Sequence, residues 1–241
     1  MQSYKAQGII LKRSNLGEAD RIVTVFSQEF GKIKFVAKGS RRINSKLAGS
    51  IEPFYFTSFI ISKGKSLDIL TSASIKDIPI KDEKNLKLIK TASFFSELVD
   101  KMWPERVPNT EIYTLLEEVF ASLGKGEDDE IVRLYFESKF YQISGYFPET
   151  FVCVRCGHRS EENLHFSPSA GGIVDSGCCA VYGDSRNIST DAAKLWRYAS
   201  NNSLAEFLNV KIPKDIKREL TNISNCYLTY VTQREFNSDK I

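Results

Sequence analysis

The chain changes its hydrophobic rhythm once, near residue 80. Up to that point apolar and polar positions alternate in short runs broken by turn residues. Ala6–Lys12 is such a run, closed by Ser14, Asn15 and Gly17; Arg21–Phe26 follows and breaks at Gly31. In Lys32–Lys38 the alternation is strict, with Ile33, Phe35 and Ala37 on one side and Lys32, Lys34, Val36 and Lys38 on the other. Side chains leave a strand on alternate faces, so this pattern predicts a half-buried strand whose outer face is exposed and basic. Phe54–Ile61 and Leu67–Ser74 come next, parted by Lys63, Gly64 and Lys65, a hairpin-turn signal. Five short strands in about 75 residues predict a small barrel, for which the OB-fold is the usual five-stranded solution.

From residue 82 onward the period is helical. Leu86, Leu88, Ile89, Ala92, Phe95, Leu98 and Val99 recur at the spacing of one helix face. After a break from Trp103 to Pro108, Ile112–Leu123 repeats the pattern. Glu127, Asp128, Asp129 and Glu130 then open a third helix, where acidic side chains favour the positive end of the dipole. Its apolar stripe is Val132, Tyr135, Phe136, Phe140 and Ile143, read as core. Gly145–Pro148 stops it and leads into a loop-rich stretch, after which Ser189 caps Ala192–Ala199 and helical spacing returns near Leu204–Val210 and Ile216–Val231. The expected fold is α+β and multidomain. An N-terminal OB-fold barrel (1–80) precedes an α-helical domain (81–148 and 183–241), into which a zinc-finger-like module is inserted (149–182).

Composition narrows the class. Of 241 residues, 42% are hydrophobic and 26% charged, as in an ordinary globular protein. No apolar run approaches the roughly 20 residues that span a bilayer, and the N-terminus lacks a signal peptide's apolar core. A cytoplasmic location is expected. The net charge of +3 conceals an asymmetry: residues 1–80 hold 13 Lys or Arg against 6 Asp or Glu, and residues 81–241 hold 20 against 24. A basic barrel suits a polyanion.

Four of five cysteines fall between Cys153 and Cys179. Clustered cysteines in a cytosolic chain point to metal rather than to disulfides. Cys153 and Cys156, followed by Gly157, form a CxxC turn in which two thiolates grip one zinc ion. The second pair is irregular: Cys178 and Cys179 are adjacent, and Asp175 stands where C-x-x-C would place a cysteine. Adjacent cysteines rarely share one tetrahedral ion. The candidates for the fourth ligand are therefore Asp175, Cys179, His158 and His165, and the alternative is a degraded site without metal whose thiols are buried or paired. In either case the module is structural rather than catalytic. Cys226 lies in an apolar helical stretch and is read as core.

Catalytic patterns are missing. There are two histidines, no phosphate-binding glycine loop, no nucleophile elbow and no H-E-x-x-H. No enzyme is expected. Single-stranded nucleic acid is instead bound by a positive groove with aromatic platforms. Lys32, Lys34 and Lys38 on one strand face, Arg41, Arg42 and Lys46 in the loop beyond, and flanking Arg21, Lys12 and Arg13 are the candidates for phosphate. Phe54, Tyr55, Phe56 and Phe59 are the candidates for stacking.

Longer stretches are more specific. Thr24–Lys32, then Val36–Arg42, Leu47–Gly49 and Glu52–Phe54, resemble the N-terminal signature of the bacterial RecO family. Phe140–Gly157 resembles that family's helix, Gly-Tyr-x-Pro turn and CxxCG, and Phe166 with Gly171 and Gly172 resembles the approach to its second metal pair. Arg234–Ser238 is a looser match to its C-terminal end. The resemblance implies a recombination mediator that binds single- and double-stranded DNA and anneals complementary strands. It implies further that the protein works with RecR to load recombinase onto DNA coated by single-strand binding protein, whose acidic C-terminal tail it contacts, at the nucleoid. By matched position Lys38, Arg41 and Arg42 would contact DNA, and Cys153, Cys156 and Cys178 would bind zinc. Asp175 departs from the family's cysteine. The rival expectation is an OB-fold and zinc-ribbon regulatory or RNA-binding interaction protein that anneals nothing.

Overall fold

A computed structural model describes residues 2–82, 84–159 and 162–233. The match at Arg234–Ser238 lies outside the described residues. The chain forms two compact units, one running to Asp129 and the other beginning at Glu130.

The first unit starts with five strands: β1 (Ser3–Leu16), β2 (Asp20–Ser27), β3 (Gly31–Ala37), β4 (Phe56–Ser62) and β5 (Asp68–Asp77). They close a barrel in the order β1-β2-β3-β5-β4, the OB-fold connectivity. All neighbours are antiparallel except β3 and β5, which seal the barrel through a short parallel pairing at Phe35↔Asp68 and Val36↔Ile69. The alternating positions fill its interior: Ala6, Ile10, Val23, Val25, Ile33, Phe35, Ala37, Phe59, Ile61 and Leu70 are all buried there. At its centre the Phe35 and Phe59 rings sit 5.2 Å apart.

β1 is twice the length that the periodicity predicts. A bulge at Leu11 moves the register from Ile10↔Val25 to Lys12↔Thr24. Bulges bend and twist a strand, and beyond this one β1 runs on with β2 as a hairpin turning at Gly17, where φ is +59°. Few side chains of that hairpin are buried.

Two helices complete the unit, α1 (Leu86–Met102) and α2 (Thr110–Gly124). Asn85 and Asn109 cap them by accepting from the N–H groups of Leu88 and Ile112. Phe120 of α2 packs its ring 5.6 Å from Phe54 and 6.3 Å from Phe95 of α1, which joins the helices to the barrel's outer face. The helical rhythm therefore begins at residue 82, whereas the compact unit extends to Asp129.

The second unit holds α3 (Asp129–Ser144), β6 (Leu164–Ser167), β7 (Gly172–Asp175), β8 (Arg186–Asn187), α4 (Thr190–Asn201), α5 (Leu204–Leu208) and α6 (Lys214–Thr232), with Asp129 itself in the first unit. The strands form a small sheet in the order β7-β6-β8. Phe166 of β6 packs 5.3 Å from Trp196 of α4 and 5.4 Å from Tyr227 of α6, anchoring the cysteine-bearing sheet to the helices. Tyr141 of α3 closes the cluster at 5.3 Å from Tyr227. Beside it Glu137, 2% exposed, accepts from Arg133 at 2.8 Å and from the Ser224 hydroxyl. Cys226, expected in the core, is only half-buried. Among the described residues no helix is long and apolar enough to cross a membrane.

Candidate nucleic-acid interface and metal site

The exposed basic face expected of β3 does not form. Lys32 is 5% exposed; its ammonium donates to the Asp100 backbone carbonyl and lies 3.7 Å from the Asp100 carboxylate. Burial pulls its pKa below the ordinary lysine value, and the like charge of Lys34 adds to the shift while Asp100 opposes it. Lys34 is paired with Glu105, whose carboxyl is held below its usual range chiefly by that hydrogen bond. Lys12 pairs with Asp100 as well. The cause is tertiary. The Arg106 N–H donates to the Lys32 carbonyl at 2.9 Å, which ties the segment after α1 to the start of β3. A Cβ on Gly31, where φ is +64°, would fall 2.2 Å from the Val107 carbonyl oxygen. The end of α1 also presents carbonyls, which favour a cation.

The loop after β3 behaves differently. Lys38, Arg41, Arg42 and Lys46 are all exposed. The backbone beneath them is held by hydrogen bonds: Gly39 N–H donates to the Asp20 carboxylate at 2.7 Å, and Arg41 N–H to the Ala19 carbonyl at 2.9 Å. The Arg41 guanidinium donates to the Gly17 carbonyl at 2.8 Å, so the loop is laid against the β1–β2 hairpin. Arg42–Ser45 is a tight turn closed by the Ser45 N–H on the Arg42 carbonyl at 3.0 Å. Arg21 stands half-buried nearby. Burial, and then the charges of Arg13 and Arg41, lower its pKa, opposed by Glu52, which is paired with Arg13. A cluster of cations thus gathers where the hairpin meets the loop.

Of the aromatic candidates, Phe59 is inside the barrel and Phe54 is buried against Phe120. Tyr55 and Phe56 are half-buried, with Tyr55 packed on the barrel core. The aromatic side chains that sequence marks for stacking are largely spent on packing. An apolar side chain that no sequence pattern marks, Ile43, stands instead at the tip of the basic loop.

In the second unit the sulfurs of Cys153, Cys156 and Cys178 lie within 4.8 Å of one another, a group that could hold a metal ion. The first turn is tight: Gly157 N–H donates to the Cys153 carbonyl at 2.8 Å, with Gly157 at φ +73°. The second brings the Cys178 N–H to the Asp175 carbonyl at 2.8 Å. Burial opposes ionisation of the Cys153 thiol. The N–H groups of Asp175, Cys156 and Arg155 outweigh it and bring the pKa down to about 7. Cys178 is pushed up to about 11, by burial and by the hydrogen bonds it makes with the other two thiols. Asp175 borders the group, with its carboxylate 3.5 Å from the Cys156 sulfur and 3.4 Å from His158 Nδ1. Among the described residues its other oxygen is buried without a hydrogen-bond partner. Cys179 is turned aside, donating to the Ser176 carbonyl at 3.1 Å. Three converging sulfurs fit a sulfur-preferring ion, and the Asp175 carboxylate at the border of the group is a candidate for the fourth donor.

Two family models match the chain: Recombination protein O N terminal over residues 1–79 and Recombination protein O C terminal over residues 84–240. The chain belongs to the RecO family. Among RecO relatives, a protein of Pelotomaculum thermopropionicum named DNA repair protein RecO is 30% identical over 239 residues, covering 99% of this chain and 93% of that one. A protein of the same name from Alkaliphilus metalliredigens is 28% identical over 239 residues, covering 98% and 97%. A third, from a Roseiflexus strain, is 30% identical over 233 residues, covering 96% and 82%. The RecO boundary between the two family models falls at the change of hydrophobic rhythm near residue 80.

Proposed function

We propose that this protein is a DNA-binding recombination mediator of bacterial DNA repair that anneals complementary single strands and catalyses no covalent reaction. One observation carries the reading: Lys38, Arg41, Arg42 and Lys46 stand exposed on a single hydrogen-bonded loop of an OB-fold barrel, beside Arg21. Two strands repel through their phosphates. A surface that neutralises them releases counterions and keeps both at raised local concentration until base pairing takes over. Family membership supports the rest of the reading. The protein acts with RecR to load recombinase onto DNA coated by single-strand binding protein, engages that protein's acidic tail, and works at the nucleoid in the cytoplasm. The division into 1–80, 81–148, 149–182 and 183–241 belongs to the same reading.

The test is annealing of two complementary labelled oligonucleotides. Acceleration that falls steeply with salt supports the reading; binding to DNA or RNA without annealing replaces it with that of a regulatory interaction protein.

Zinc is part of the proposal. Cys153, Cys156 and Cys178 would hold it with Asp175 as the oxygen donor, and the ion would supply stability to a loop-rich module rather than chemistry. Metal analysis of the purified protein is expected to find about one zinc per chain, lost in Cys156→Ser. Zinc retained in Asp175→Ala would assign the fourth place to another ligand.

A further inference from the structure

Ile43 is 102% exposed, as open to solvent as in an extended peptide. A lone exposed apolar residue is ordinary on a protein surface. Three features of its place are not. It occupies the second position of the Arg42–Ser45 turn, so the backbone aims it outward from a closed, hydrogen-bonded frame. Its neighbours Arg41 and Arg42, with Lys46 beyond the turn, are exposed cations. Of the aromatic residues that would otherwise meet bases, Phe54 and Phe59 are buried, and the half-buried Tyr55 and Phe56 pack on the barrel core and on Phe120.

We infer that Ile43 is the base-contacting residue of the loop: its side chain packs against the unpaired bases of a single strand while the flanking cations hold the phosphates. This rests on the DNA-binding reading above and assigns it a division of labour. Cations alone bind duplex and single strand through the same charge, without touching a base. An apolar side chain discriminates, because a single strand offers base faces that a stacked duplex keeps inside. A β-branched side chain also has few rotamers to lose on contact.

The experiment compares wild type, Ile43→Ala and Ile43→Phe on three probes of equal length: oligothymidylate, an abasic oligonucleotide with the same phosphates, and a duplex. Ile43→Ala is expected to weaken oligothymidylate binding by about fivefold, the size of a partly buried aliphatic contact. It should leave the abasic and duplex affinities and the slope of affinity against salt unchanged. Ile43→Phe should bind oligothymidylate at least as well as wild type. Equal oligothymidylate affinity in wild type and Ile43→Ala overturns the inference, as does an equal loss on the abasic probe, which would mark a change in loop shape. If wild type binds none of the probes, the DNA-binding reading falls and the inference with it; if wild type binds all of them and Ile43→Ala binds them equally well, the inference alone falls.

Discussion

Strand β3 and the loop that follows it carry lysines and arginines in one unbroken stretch, yet the fold puts them to opposite uses. Lys32 and Lys34 are taken up by Asp100, from the last turn of α1, and Glu105, from the segment that follows it. Lys38, Arg41, Arg42 and Lys46 remain exposed on a frame braced by the β1–β2 hairpin. A cation serves a ligand only if no part of its own chain has already neutralised it. Positive charge in sequence is therefore an upper bound on positive charge at the surface.

The largest effect should come from the loop. Lys38→Ala/Arg41→Ala/Arg42→Ala is expected to lower single-strand affinity by tenfold or more at moderate salt. It should cut the slope of log affinity against log salt by about 2, near 0.7 for each phosphate that is no longer neutralised. Thermal unfolding monitored by circular dichroism should move only slightly, since these side chains are exposed and the one bond lost is that of Arg41 to the Gly17 carbonyl, worth about 1 kcal/mol or less. Normal affinity in this variant would dissolve the contrast between strand and loop.

Lys32 should show the reverse: a stability cost with affinity preserved. Lys32→Ala removes a buried charged hydrogen bond and is expected to destabilise the barrel by about 2 kcal/mol in urea unfolding. The pH dependence sharpens this. Folding depresses the Lys32 pKa below 10.5, so the unfolded chain holds that proton more tightly. Stability should then rise with pH in the interval just below 10.5, and Lys32→Met should lack that rise. A Lys32 variant that folds normally but loses DNA would return β3 to the interface.

Lys34→Ala is the smallest case. Its partner Glu105 is half exposed, so the pair is worth under about 1 kcal/mol, and little change is expected in either stability or affinity. A loss of affinity as large as that of the loop variant would show that DNA displaces Glu105.

Much of the fold was legible because its signals are local. Period-two alternation marks the five strands and Lys63–Lys65 marks a turn, since pleat and turn geometry act within a few residues. The CxxC was legible for the same reason: Cys153 and Cys156 share one tight turn with Gly157. The extra length of β1 was not, because it depends on a bulge that only pairing with β2 reveals. Nor was the place of Cys179, a candidate for the fourth ligand, whose sulfur the turn after Asp175 sends to the Ser176 carbonyl while that of Cys178 joins the cluster.

By itself the sequence determined the barrel's interior, the helix faces and the loop's charge, since each follows from hydrophobic period or residue type over short spans. Only the tertiary structure decided which cations stay exposed. Asp100 and Glu105 lie about seventy residues from the lysines they neutralise. Alternation along a strand says which side chains leave the core, and it carries no information about what the rest of the chain then lays over them.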